Sequence, residues 1–164
     1  MTAKLQGMMA SDRMADDLRI GSRLTKGMAQ GTTVLTADGL LPVEYLSPGD
    51  RIITRDGVRV LVDVDVHVLV GDVVRVCASS QGHARPDDDV ILGQEQTMLI
   101  RDWRAKALYG AAQAMVPVER MVDGELVRRE KASGLRMYTL GFASAVVLYA
   151  GGLELACDAV TVAA

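Results

Sequence analysis

Between Val58 and Val70 a valine stands at every second position, with Arg59, Leu61, Asp63, Asp65, His67 and Leu69 in the places between. Side chains alternate across a strand, so a period of two over this length demands extended chain with one buried face and one largely wet face. The valines are expected on the buried face, and the aspartates with His67 on the solvated one. A strand this long is also expected to bend or bulge.

The punctuation around it is of the same kind. Thr32 to Thr36 is rich in β-branched residues and runs into Asp38-Gly39, and Arg51 to Thr54 runs into Asp56-Gly57. Asp-Gly between extended segments is a strong hairpin signal. Shorter strands are expected at Val73–Cys77, Val90–Leu92, Met98–Ile100, Arg136–Phe142 and Ala145–Ala150. A helix is expected over Arg101–Tyr109, with Trp103, Leu108 and Tyr109 facing the core and Gly110 ending it. Pro117 to Val122 reads as a helical turn, Ser79 to Asp89 as a polar loop, and Arg128, Arg129 and Lys131 around Glu130 as a solvated turn. Many short strands with one or two short helices make a mostly-β fold.

Residues 1–26 differ in character from the rest of the chain. They carry Met8, Met9, Met14 and mixed charge, with Met14 and Leu18 one helical turn apart and Ser11 as an N-cap. They read as a partly helical or flexible arm, and residues 27–164 as one β domain. At 164 residues and 49% hydrophobic content the chain can bury a core without disulfide or metal staples. A net charge of −3 offers no basic field for nucleic acid or an anionic membrane. The arm has no apolar signal-peptide core, and the apolar run Leu140 to Leu153 is too short to span a bilayer. Cys77 and Cys157 are too few and too far apart for a disulfide framework, which favours the cytoplasm.

The stretch GTTVLTADGLLPVEYLSPGDRIITRDG, Gly31 to Gly57, resembles the opening of a Hint domain, the module shared by hedgehog autoprocessing domains and inteins. The matching pieces are Gly31-Thr32, Thr36 with Gly39, Pro42-Val43-Glu44 with Leu46, and Gly49-Asp50 before an apolar strand. The likeness continues in LGQEQTMLIRDWRAKALYG, in Met115-Val116-Pro117 and Leu126, and in the closing Leu148, Ala150, Gly152 and Glu154. It spans Gly27 to Cys157 and is nearest to the bacterial branch of the family. It implies a two-lobed β horseshoe with pseudo-symmetric halves.

The resemblance also implies a chemistry. A Cys or Ser opening the fold attacks the preceding carbonyl, a His protonates the departing nitrogen, and oxyanion donors complete the site. The nucleophile's slot, four residues before Gly-Thr, holds Gly27, which has no side chain. The second-block His slot falls at Gln96, with Thr97 one residue away, and the later polar and His slots fall near Thr139, Ala143 and Ala145. None of these is an acid or base near neutral pH. With only a short arm ahead of the domain, there is also little to release.

Alternative chemistry is thin. Ser22 and Thr25 stand near the vacant slot but out of register, and Cys157 has no neighbouring His or cation in sequence to lower its pKa. His67 with Asp63 and Asp65, or His83 with Asp87, Asp88 and Asp89, could hold a metal for hydrolysis, but each reads more simply as a solvated face or an acidic loop. The expectation is therefore a Hint-like domain with no catalytic residue, cofactor or metal. It would act as a binding or assembly module toward a protein partner or a second copy, with no nucleic-acid or membrane role. The alternatives are a self-processing domain that cleaves near residues 22–31 and a metal-dependent hydrolase.

Overall fold

A computed structural model describes residues 25–78 and 88–160. The two Asp-Gly signals become two hairpins built alike. Strands β2 (Thr33–Thr36) and β3 (Gly39–Pro42) pair antiparallel, as do β4 (Arg51–Thr54) and β5 (Gly57–Val60). In the first turn Thr36 Oγ1 accepts from the Asp38 N–H and donates to the Gly39 carbonyl; in the second, Thr54 does the same to Asp56 and Gly57. Gly39 and Gly57 both sit at positive φ, where a side chain would be strained.

The valine-rich segment breaks at Leu61, which is buried, and Val62. Its larger part enters β6 (Asp63–Val76). This strand pairs along its length with β10 (Val127–Gly141), and a register shift between Ser133 and Leu135 supplies the expected irregularity. Two short strands, β1 (Met28–Ala29) and β7 (Val90–Gly93), close these into a four-stranded barrel in the order β1-β10-β6-β7. A second sheet gathers β8 (Thr97–Ile100), β9 (Ala114–Pro117), β11 (Val146–Ala150) and β12 (Leu153–Cys157) with the first hairpins. Its order is β3-β2-β4-β11-β12-β8-β9, with β5 on β4. Short 3-10 turns at Val43–Tyr45 and Val118–Met121 cover its edges, each begun by a proline.

One apolar core joins the two sheets, with Leu148, Leu153, Leu155, Leu92 and Phe142 fully buried. Burying one such side chain contributes on the order of 2 kcal/mol. Within this core Glu154 is 5% exposed; its carboxylate accepts from Arg55 at 3.0 Å and Arg101 at 2.7 Å, so the buried charge is paired.

Three sequence expectations need correction. The valine face of β6 is buried only at its ends: Val64 packs on the core and Val74 and Val76 lie in it, whereas Val66, Val68 and Val70 are exposed, as are Val58 and Val60 on β5. The hairpin of β6 and β10 projects past β7 there, so no described layer covers it. The helix α1 (Trp103–Tyr109) starts after Asp102, which caps it by accepting from the Arg104 N–H, and its one buried residue is Ala105. Trp103, Leu108 and Tyr109 are exposed, because a seven-residue helix rests on the core by one side chain only. Arg128, Arg129 and Lys131 lie in β10 rather than in a turn; β6 supplies the backbone partners, and Glu130 pairs with Arg75 while Lys131 pairs with Asp72.

Candidate functional site

The start of β1, the residue before β8, the closing part of β10 (Tyr138 to Leu140) and the end of β12 meet around a cavity of about 10 Å³, room for roughly one water. Gly27, Gln96, Thr139 and Cys157 all line it. Three of the family slots named from sequence are thus brought together. Ala145 is exposed in the β10–β11 connection and is not among the lining residues, and Ala143 is exposed beside it.

Gly27 has φ +102°, a conformation that side-chain-bearing residues rarely adopt. A Cβ built there would lie 2.7 Å from the Tyr138 carbonyl oxygen and 2.9 Å from Thr139 Oγ1. The direction in which a nucleophile would project is therefore occupied by strand β10. Thr139 Oγ1 itself is buried without a hydrogen-bond partner, which leaves one polar atom facing this corner.

Gln96 is 4% exposed, and its amide is engaged at both ends. Its Oε1 accepts from the Gly27 N–H at 2.9 Å, and its Nε2 donates to the Ala156 carbonyl at 2.8 Å and to the Thr97 carbonyl at 3.1 Å. Two carbonyl partners fix which end of the amide is nitrogen. The side chain thus ties together segments that are 69 and 60 residues away in the chain. The polarity matters: a departing backbone nitrogen needs a proton delivered to it, whereas Gln96 presents an acceptor to that nitrogen.

Cys157, which has no neighbouring His or cation in sequence, is brought to the same cavity by the pairing of β12 with β8 and β11. Burial first, and then the Asp158 carboxylate, push its thiol up to about 12, so it stays protonated near neutrality. Lys26, a cation at the rim, is already paired with Asp158 at 2.9 Å.

Thr25 faces outward, and its hydroxyl donates to Glu95 at 2.7 Å. His67 lies on β6 with both ring nitrogens buried and unpartnered; burial lowers its pKa, and the Asp65 charge opposes that shift. Among the described residues no group of three or more His, Cys, Asp or Glu side chains could hold a metal ion. Among them, too, no helix is long and apolar enough to cross a membrane. Ser22, His83 and Asp87 lie outside the described residues.

The fold has clear relatives. The chain is similar to a bacterial intein-like domain from Clostridium thermocellum, with a TM-score of 0.60 and 14% identity over 81% of this chain and 98% of that one. It is also similar to the TvoVMA intein, with a TM-score of 0.59 and 11% identity over 82% and 99% of the two chains. No curated protein matches it by sequence. A family model described as the Hint domain matches residues 27–157, four-fifths of the chain, and the chain belongs to that family.

Proposed function

We propose that this Hint domain is catalytically silent and serves as a binding or assembly module, for a protein partner or a second copy. The observation that carries this reading is the bond from the Gly27 N–H to Gln96 Oε1. At the position where the family breaks a peptide bond, the side chain that would assist departure holds the nitrogen in place. The glycine beside it has no nucleophile and no space for one. Cys157, the thiol that lines the cavity, is held in its unreactive form by burial. Exposed apolar side chains, Trp103 and Leu108 foremost, offer contact surface. Two unpaired cysteines fit a reducing compartment, which supports a cytoplasmic location.

The competing reading comes from the likeness to inteins, because the Lys26–Gly27 peptide borders the cavity. Self-processing would then use Ser22 or Thr25. Intact-mass measurement of the chain tagged at both ends, with and without an added thiol, decides between the two. A single mass equal to the whole under both conditions is expected. Two fragments summing to the whole, with a junction between Arg23 and Thr32, would replace this proposal with self-processing.

A further inference from the structure

The larger sheet has one face in the core and one turned outward. Alternation assigns the outward residues, since Ile52, Met98, Val116, Leu148 and Leu155 point inward. The registers then set one line across six strands: Met115 on β9, Leu99 on β8, Glu154 on β12, Tyr149 on β11, Ile53 on β4 and Val58 on β5. At the spacing of paired strands this line is about 24 Å long. Met115 and Val58, at its two ends, are exposed, whereas Glu154, near its middle, is buried.

Glu154 aims two cations. Strands β4 and β8 run in opposite directions, so Arg55, two residues past Ile53, and Arg101, two residues past Leu99, leave the line on opposite sides. Both turn back to the carboxylate, Arg55 through Nη1 at 3.0 Å and Arg101 through Nε at 2.7 Å. One nitrogen of each guanidinium is fixed in this way. The remaining nitrogens have no hydrogen-bond partner among the described residues, and the two side chains are 33% and 52% exposed. The three groups together leave one positive charge uncompensated. Arg51, exposed on the same face, adds a second with no acidic partner among the described residues. Guanidinium forks held by a buried anion are pre-organised, and the group that matches a fork is a carboxylate or a phosphate.

We propose that this face docks a segment of a protein partner in which one carboxylate stands between aliphatic side chains. The carboxylate takes the unused N–H groups of Arg55 and Arg101, while the aliphatic side chains cover Val58 and Ile53 on one side and Met115 on the other. The apolar ends of the line favour a protein segment over a nucleic acid, whose charges repeat with no aliphatic groups between them. A chain of net charge −3 also lacks the field that would draw in a polyanion or an anionic membrane. This inference rests on the reading of the domain as a binding module and names the chemistry of its partner.

Titration of the full-length chain with a capped peptide of about nine residues tests it, with valine and serine alternating around one central glutamate. Binding with a Kd of about 1 mM or tighter is expected, with shifts of the Arg55 and Arg101 side-chain N–H signals in NMR spectra. Glutamine in place of that glutamate should weaken binding about tenfold, as should Arg101→Gln. Val58 is exposed, so Val58→Asp should weaken binding while the urea midpoint stays in place. Equal affinity for the two peptides, or none for either, would overturn the inference. So would binding to phosphatidylserine vesicles without binding to the peptide, or a dimeric mass that Arg101→Gln abolishes, since the occupant would then be a lipid surface or a second copy. A chain that keeps a single mass yet fails with the peptide removes this inference and leaves the module reading, whereas fragments in the mass measurement remove both.

Discussion

Gly27 carries two constraints at once, a positive φ and a Cβ direction that ends on the Tyr138 carbonyl. Gly27→Ala should therefore destabilise the fold by about 2 kcal/mol or more, read as a lower midpoint in chemical denaturation. Gly27→Cys should carry the same strain and leave the chain uncleaved, because the thiol would arrive without space or a proton donor. Gln96→Ala would strand the Gly27 N–H and the Ala156 carbonyl, at a cost of about 1–3 kcal/mol. The two cysteines separate cleanly. In native protein a thiol reagent should label Cys77, which is partly exposed, and reach Cys157 only after unfolding; equal labelling rates would contradict the burial of Cys157.

At the scale of elements, the strand ends meet in charged as well as apolar contacts. Glu154 on β12 holds Arg55, just past β4, and Arg101, just past β8. Glu154→Ala should cost about 2 kcal/mol in urea denaturation, less than a fully buried pair, since both guanidinium groups keep partial access to water. The elements also show what could be read from the chain. Thr36 to Gly39 and Thr54 to Gly57 were legible as turns because their chemistry is local. The burial of the valine face was not, because it depends on where β7 ends. Nor was β10 legible before Arg136, because Arg128 to Lys131 become strand only through pairing with β6. In the site, Gly27 and Gln96 were legible as vacant slots, whereas the arrival of Cys157 beside them rests on the register of β12, which no local pattern encodes. Trp103 was read inward for the opposite reason: helical periodicity gives a face but not the depth to which a short helix sinks.

For the whole molecule, titration sets a window of stability. The pKa of His67 is lowered from its ordinary 6.5, so the unfolded chain takes up that proton first and the contribution of His67 shrinks as pH falls below about 6.5. Asp72, Asp102 and Asp123 are held below their ordinary 3.8, by the Lys131 and Arg104 side chains and by backbone N–H groups respectively. Their contribution is present above that value and lost as pH falls through the lowered ones. Cys157 is raised from 9.0 to about 12, so its contribution is full below 9 and lost as pH climbs toward 12. Stability should plateau between about pH 6.5 and 9, and His67→Gln should flatten the slope between pH 6.5 and 5; an unchanged slope there would exclude His67 as its source. The ion pair of Lys26 with Asp158 closes the molecule on itself, since one residue precedes β1 and the other comes after β12. A domain whose entry and exit lie side by side can be seated in a surface loop of a host protein without spreading the points where the loop is anchored.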